Sequence, residues 1–333
     1  MGFLNSLLLT LIKALHTFIN NYALTIIAFT LLIKLLLMPL NLKSRRSTMR
    51  MSSVQPKMQA LQAKYKDDQE KLNQKMQELY RKEGVSPLGG CLPMILSMVI
   101  LFAMFYALRT FANEQLVTQF LTFYHHPDID PHTLVEPFLW IKNLWMPDTP
   151  FSTYLPDVAS LQLVDFQVWN EVSAKLAAAG TIPEALSFAN RDAMMAFIND
   201  VVTPFVASDV YAPFVAPVTG LGNLNILGFI RFSIYQEGNG WFLLPALSVI
   251  TQIFMQKLTM QNAQLPDSQA GSQKIMIYMM TFMSLYFCAS YNSAFALYWV
   301  VSNVYAIIEQ IGFTKYFELQ DRKAAKAEEV GIL

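Results

Sequence analysis

Long apolar stretches constrain this chain more than any other feature of its sequence. A bilayer core of ~30 Å requires about 20 mostly apolar helical residues to cross it. Four stretches meet this requirement, at residues 22–42, 88–108, 241–257 and 294–313. A fifth, at residues 275–291, is shorter but uncharged, and only two residues separate it from the last, which predicts a tight helical hairpin. Only 14% of the residues are charged, whereas soluble domains average roughly 25%, so the composition also favours a membrane protein.

The first apolar stretch of the chain has a different character. Residues 3–18 are apolar, but Asn5, Lys13 and His16 interrupt them. Their apolar side chains recur on one helical face, which predicts a helix that lies in the membrane interface. A secretory signal peptide is the alternative, and the lack of a basic start and of an Ala-x-Ala site disfavours it.

The overall charge of zero conceals a segregation of charge along the chain. Residues 43–87 contain eleven basic and five acidic residues, whereas residues 111–240 contain four basic and thirteen acidic residues. The positive-inside rule therefore assigns residues 43–87 to the cytoplasm and residues 111–240 to the outside. Five spans then place the N-terminus outside and the C-terminus in the cytoplasm. The zero net charge gives no indication of DNA as a partner.

These patterns predict an all-α integral membrane protein, in which a five-helix transmembrane bundle carries an interfacial N-terminal helix, a cytoplasmic helical hairpin and an extracytoplasmic insertion. The predicted segments are an interfacial helix (1–20), a first transmembrane helix (21–42), a cytoplasmic hairpin (43–87), a second transmembrane helix (88–110), an extracytoplasmic region (111–240), a third transmembrane helix (241–260), a cytoplasmic loop (261–273), the fourth and fifth transmembrane helices (274–313) and a cytoplasmic tail (314–333).

The cytoplasmic segment predicts two antiparallel amphipathic helices joined by a polar turn at residues 66–69. Apolar residues recur at helical spacing from Val54 to Tyr65 and again from Leu72 to Tyr80. A basic projection beside a membrane attracts anionic lipid headgroups, ribosomal RNA or acidic protein surfaces. The candidate contact residues are Arg45, Arg46, Arg50, Lys57 and Lys64. The alternative is a solvated hairpin that binds no partner.

The extracytoplasmic region contains no catalytic constellation. Residues 165–180 predict a helix with an Asp at its start and a Gly after its end, and residues 184–202 predict another. His125, His126 and His132 have a metal-like composition, but their spacing in a Pro-rich loop favours a solvated cluster over a metal site.

Lys34 is the most informative single residue, because it lies ~12 Å before the cytoplasmic end of the first span at 1.5 Å per residue. A charge at mid-helix costs ~2.5–3.5 kcal/mol. A lysine side chain spans only roughly half of the ~12 Å to the end of the helix, so snorkelling alone does not bring its ammonium to bulk water. A water-containing groove that faces the cytoplasm resolves this cost. Polar residues of the spans supply its predicted wall: Thr30, Ser97, Thr251, Gln252, Gln256, Ser302 and Asn303. The alternative is a tilted helix in which the Lys34 side chain snorkels into the lipid headgroups. Glu309, in the last turn of the final span, either pairs with Lys34 or is exposed near the inner surface.

Four motifs occur in a distinctive order and spacing. They are Lys34…Met38-Pro39-Leu40, Gln55-Pro56-Lys57-Met58, Pro87-Leu88-Gly89-Gly90-Cys91-Leu92-Pro93 and Leu297-Tyr298-Trp299…Ser302-Asn303…Gln310. Together they resemble the YidC-type membrane protein insertases, and the resemblance covers residues 1–150 and 238–313. It implies a hydrophilic groove that is open to the cytoplasm and to lipid but closed on the outside.

The resemblance also implies a function. Members of that family insert and fold nascent membrane proteins in the bacterial cytoplasmic membrane, without nucleotide hydrolysis and alone or beside the Sec translocon. It therefore implies no cofactor and no enzymatic activity. Lys34 stands five positions before Pro39, where the family has its groove arginine. Thr30, Tyr298 and Trp299 belong by similarity to the surface that contacts substrate, and the hairpin is implied to receive it.

Several features depart from the family pattern. Lysine at position 34 keeps the charge of arginine but loses the planar fork that binds carboxylates bidentately. Asn292 and Ala294 replace the usual proline and glycine, and the tail is short and charge-balanced, which disfavours the ribosome binding of relatives with long basic tails. Residues 151–237 match nothing in the core and predict a lineage insertion. The chain lacks the earlier signal anchor or lipoprotein signal of bacterial members, so we expect a trimmed chain or a divergent paralogue.

Other functions fit the residues less well. A secondary transporter could use Lys34 to bind a small solute, but the few spans and the lack of an evident inverted repeat disfavour it. A structural assembly factor would use residues 151–237 to hold a partner. An intramembrane enzyme is least favoured, because the spans contain no Ser/His, paired-Asp or His-Glu-x-x-His arrangement.

Overall fold

The computed structural model describes residues 2–85, 92–218, 224–226, 230–261 and 267–329, and within them the chain is mostly helical. The helices are α1 (Gly2–Ile19), α2 (Tyr22–Lys64), α3 (Gln69–Glu83), α4 (Leu92–His125), α5 (Val158–Gln162), α6 (Phe166–Ala178), α7 (Arg191–Phe197), α8 (Thr203–Val206), α9 (Ala212–Val215), α10 (Leu243–Gln261), α11 (Asp267–Ser290) and α12 (Ser293–Glu329). A 3-10 turn at Pro131–Thr133 and a π-helical turn at Ile198–Val202 complete the helical segments. Two three-residue strands, β1 (Leu224–Ile226) and β2 (Ile230–Phe232), pair antiparallel and are the exception to the predicted all-α fold.

The predicted first span and the first helix of the predicted hairpin form one continuous helix, α2. This 43-residue helix contains Pro39 and Pro56, each of which removes one backbone hydrogen bond. The chain turns back after α2, and the Asp68 side chain caps α3 by accepting from the backbone N–H of Lys71. Gly84 ends α3 at a φ of 61°, a left-handed conformation that glycine adopts without strain.

Only part of the predicted membrane topology can be compared with the described residues. Within them, Tyr22–Lys64 and Ser293–Gln320 are the helices long and apolar enough to cross a membrane, and Ser6–Ile19 and Ile277–Ser290 are shorter apolar helices. The start of the predicted second span and the motif at residues 87–91 lie outside the described residues, as do residues 262–266 of the predicted cytoplasmic loop. The count of five spans therefore stays a prediction.

The chain divides into two compact units. The first unit comprises Met1–Phe29, Met104–Ile250 and Phe282–Val300, and the second comprises Thr30–Ala103, Thr251–Thr281 and Val301–Leu333. The core of the first unit is aromatic, because Trp145, Trp169 and Tyr211 are fully buried there. The ring of Phe120 lies 6.0 Å from that of Trp169 and 6.2 Å from that of Tyr211. Most of residues 111–240 is therefore folded around a core of its own.

The two helices predicted in this region have different outcomes. The first, α6, begins after Asp165, which caps it, and Gly180 follows its end at a φ of 72°. The second, predicted over residues 184–202, was wrong in its first seven residues, because the structure starts α7 at Arg191. The preceding segment is held instead by α6, whose Ser173 and Asn170 side chains accept from the backbone N–H groups of Leu186 and Phe188, at 2.9 and 2.8 Å.

A buried carboxylate fixes the start of α10 within the first unit. Asp148 is completely buried and accepts the backbone N–H groups of Trp241 and Leu244 and the indole N–H of Trp140, at 3.0, 2.6 and 3.1 Å. A carboxylate at a helix N-terminus satisfies unpaired N–H groups and interacts favourably with the helix dipole. Any side chain at Gly240 would place its Cβ 2.0 Å from Asp148 Oδ1, so only glycine fits beside the carboxylate.

We expect Asp148→Asn to destabilise the first unit by about 2 kcal/mol, because the amide loses both the charge and one of the two acceptor oxygens. The measurement is the midpoint of thermal unfolding of the full chain in detergent, followed by tryptophan fluorescence. Asp209→Asn, at an exposed aspartate of the same unit, is the matched control and should leave the midpoint unchanged. Equal midpoints for the two variants would show that the carboxylate is not needed for stability.

Candidate functional site

The second unit contains a polar seam between α2 and α12. The Asn41 side-chain amide donates to both carboxylate oxygens of Glu309, at 3.1 and 3.2 Å. Two turns earlier on α2, the backbone carbonyl of Lys34 accepts from the Tyr305 hydroxyl at 3.5 Å. Lys34 and Asn41 are seven residues apart and Tyr305 and Glu309 are four apart, so each pair lies on one helical face. The polar face of α2 therefore contacts the polar face of α12 in a part of both helices that is otherwise mostly apolar.

Three charges share this seam. Lys34 is only partly exposed, and its charge interacts with that of Glu309. Arg45, four residues after Asn41 on the same face of α2, also interacts with Glu309. Burial lowers the pKa of the Arg45 guanidinium from its ordinary value, and the negative charge of Glu309 opposes that shift. Two cations and one carboxylate leave the seam with an excess of positive charge.

The predicted polar wall is partly assembled in the same unit. The Asn303 amide of α12 donates to the Thr251 hydroxyl of α10 at 3.2 Å, which ties these two helices together. Ser302, Gln252 and Gln256 are half-buried. Thr30, the other predicted wall residue of α2, is buried with 1% of its surface exposed. Ser97 lies on α4, but its side chain is outside the described residues.

Several buried polar atoms of the second unit have no hydrogen-bond partner within the described part of the chain. They are Gln256 Oε1, Thr281 Oγ1 and both Nε2 and Oε1 of Gln310. Buried amides and hydroxyls in proteins are almost always paired, with protein groups or with ordered water. The most direct expectation is that water or a polar ligand reaches these atoms.

Two of the predicted substrate-contacting residues belong to the first unit rather than the second. Tyr298 is buried and Trp299 is half-buried. The Phe295 ring lies 6.3 Å from Tyr298 and 5.6 Å from Trp299, measured between ring centroids. The indole N–H of Trp299 is buried and has no partner among the described residues.

The predicted hairpin contacts differ in their surroundings. Arg46 and Arg50 are exposed and, with Lys43, line a shallow cavity of about 180 Å³ beside the end of α3. Lys57 pairs with Glu83 of α3 at 2.6 Å, which joins the two arms of the hairpin. The other two predicted contacts make different interactions: Lys64 lies 5.5 Å from the Tyr65 ring, and Arg45 interacts with Glu309 as described above.

The described residues contain no group of three or more His, Cys, Asp or Glu side chains that could hold a metal ion. Within the predicted histidine cluster, His126 Nε2 lies 2.7 Å from the backbone carbonyl oxygen of Thr181, and His132 stacks on Tyr154 with ring centroids 5.0 Å apart. These contacts tie the histidines to the fold of the first unit.

Long apolar helices with a charged and amide-rich seam are consistent with an α-helical membrane protein. The sequence model of one family matches residues 14–321, which is most of the chain. The chain belongs to that family, described as the 60Kd inner membrane protein family. The bounds of the match enclose residues 151–237, and the insertion expected there stays a prediction.

Three similar proteins are all named membrane protein insertase YidC. The chain is 28% identical to the membrane protein insertase YidC of Chlorobaculum parvum over 324 residues, which cover 97% of this chain and 38% of that protein. It is 42% identical to the membrane protein insertase YidC of Chlorobium limicola over 135 residues, or 40% of this chain and 20% of the relative. The membrane protein insertase YidC of Clostridium perfringens is 34% identical over 157 residues, which cover 44% of this chain and 58% of the relative. The chain thus spans about two fifths of the length of its Chlorobaculum relative.

Proposed function

We propose that the chain is a membrane protein insertase of the bacterial inner membrane. It would receive nascent membrane proteins in a hydrophilic groove that is open to the cytoplasm and to lipid, and release their apolar segments into the bilayer. The observation that carries the proposal is the charged seam of Lys34, Asn41 and Glu309 between two largely apolar helices. The names of the relatives and the resemblance of the motifs support the same function.

The groove lowers the barrier that a client's polar segment meets. Amides and charges buried in an apolar medium without partners cost several kcal/mol each. The polar atoms of Gln256, Thr281 and Gln310 that have no partner among the described residues would form hydrogen bonds with such groups, directly or through water. A client's polar segment would then be partnered for part of its way across the membrane. Lys34 and Arg45 would attract acidic residues of the client, in surroundings where charges interact more strongly than in water.

The client's own apolar segment supplies the driving force. Moving apolar surface from water into lipid releases ~0.8 kcal/mol per CH₂ group. A segment of about 20 apolar residues therefore gains far more free energy than its short polar flank costs, and no nucleotide is required. We accordingly assign the chain a chaperone-like role rather than an enzymatic one.

The rest of the chain would serve capture and placement. We propose five spans, with the N-terminus outside and the C-terminus in the cytoplasm, and a cytoplasmic hairpin that receives clients. The exposed Lys43, Arg46 and Arg50 side chains would bind anionic lipids of the inner leaflet. The Sec translocon and the ribosome are further proposed partners.

The test is rescue of a bacterial strain depleted of its own insertase by the full chain. We expect growth to return and a reporter client to be inserted again, measured as a protease-protected fragment. Rescue requires transfer into lipid, so a protein that only binds clients would not restore it. If the chain reaches the membrane in normal amounts and the reporter stays uninserted, the proposed function is wrong.

A further inference from the structure

Glu309 is the single acidic residue of the predicted spans, at residues 21–42, 88–110, 241–260 and 274–313. An acidic residue in a helix that crosses a membrane is expensive and usually has a functional reason. Here it lies among the groups proposed to attract acidic clients. Its position raises the question of what a negative charge does in a groove that works by positive charge.

The carboxylate is held in place by a neutral donor. Both of its oxygens accept from the Asn41 amide, at 3.1 and 3.2 Å. A carboxylate is an acceptor of hydrogen bonds when ionised, so this contact favours the charged form. Asn41 thereby stabilises the ionised carboxylate of Glu309 on α12, beside the face of α2 that carries Lys34 and Arg45.

The two cations interact with this charge electrostatically, while the direct hydrogen bonds of the carboxylate come from Asn41. Glu309 therefore lowers the positive potential around Lys34 and Arg45 and leaves both cations able to bind other anions. An acidic side chain that enters the seam meets the same cations and the repulsion of Glu309 together. Like charges brought close in a partly desolvated site are strongly disfavoured.

We propose that Glu309 is an internal competitor for the groove cations and so sets how acidic a client's translocated segment must be for efficient insertion. This inference rests on the proposed insertase function. A client segment with one acidic residue binds the two cations little better than Glu309 does, whereas a segment with several acidic residues displaces Glu309 as their partner. Glu309 is thus a specificity-determining residue that selects against weakly acidic clients.

The test compares two reporter clients that differ only in their translocated segment, which carries either no acidic residue or two. The full chain and its variants are reconstituted in liposomes, and the ratio of the two insertion rates is measured. Glu309→Gln keeps an oxygen that accepts from Asn41 and removes the charge. We expect it to raise the ratio of acidic to neutral client about fivefold.

Three further variants separate this effect from structural damage. In a Lys34→Met background the increase should shrink, because one of the two cations has been removed. Glu318→Gln, at an exposed carboxylate of the same helix, is the matched control and should leave the ratio unchanged. Glu309→Ala removes the carboxylate without leaving an amide in its place and should also raise the ratio.

The outcomes are distinguishable from a failure of the insertase proposal itself. If the original chain inserts neither client, the proposed function is wrong. If it inserts both but Glu309→Gln leaves the ratio unchanged or lowers it, the competitor role is refuted and the function stands. If Glu309→Gln does not assemble, Glu309→Ala decides, since an unchanged or lowered ratio there overturns the inference.

Discussion

Lys34→Met should slow the insertion of a client with an acidic translocated segment about tenfold. Methionine has a similar length and fits the same partly buried position of α2, so the change removes the charge with little effect on packing. A tenfold loss corresponds to ~1.4 kcal/mol, a modest share of the interaction between two charges in a partly buried seam. The measurement is the rate at which a protease-protected client fragment appears in liposomes.

Lys34→Arg is the matched control for this change. Arginine keeps the charge, and the family resemblance implies an arginine at this position, so we expect Lys34→Arg to insert the acidic client at least as fast as the original chain does. If Lys34→Met inserts the client at the original rate, the attraction of acidic segments by Lys34 is wrong, although a hydrated groove could still exist.

Deletion of residues 53–82 should abolish the capture of clients. The deletion removes the end of α2 and nearly all of α3, which form the basic hairpin. Lys57 and Glu83 lie 2.6 Å apart across the hairpin, so a short Gly-Ser linker can join the remaining ends without straining the helices. The measurement is photo-crosslinking of a stalled nascent client to the membrane-embedded chain.

The deletion needs a control for general damage and another for charge. The thermal midpoint of the first unit should match that of the full chain, since the deletion lies entirely in the second unit. Circular dichroism should lose only the helical signal of the deleted residues. A hairpin with Lys71 and Lys75 changed to Gln keeps the helices and removes charge, because the ion pairs of these residues are local, Lys71 with Asp68 and Lys75 with Glu78. Normal crosslinking after the deletion would show that the hairpin does not receive clients.

Elements whose signals are local could be predicted from the sequence. The apolar stretches, the Asp at the start of α6 and the Gly after its end act through neighbouring residues, so the sequence alone reveals them. The segment before α7 could not be predicted, because Ser173 and Asn170 of another helix bind its backbone. The continuity of α2 across the predicted membrane boundary was also not foreseen, since charge marks the boundary of the membrane but not the end of a helix.

The site divides in the same way. Lys34 stood out because a charge in an apolar stretch is costly wherever the helix packs, and Glu309 was left open between pairing and exposure. The structure adds Asn41, which the sequence did not single out, because a polar residue at the end of a span is ordinary. It also adds Thr281, whose hydroxyl nothing in the sequence distinguishes from those of its neighbours Tyr278 and Ser284. Tyr298 and Trp299 rested on the family resemblance, and their contact with clients stays a prediction.

The amide of Gln310 and the side-chain oxygen of Gln256 have no partner among the described residues, which has a consequence for the breadth of substrates. A glutamine side chain offers the same donor and acceptor as a peptide bond, and every polypeptide carries peptide bonds regardless of its sequence. Groups that pair with backbone therefore do not discriminate between one amino acid and another. A surface of this kind would accept unrelated chains equally well and leave the choice among them to charge alone.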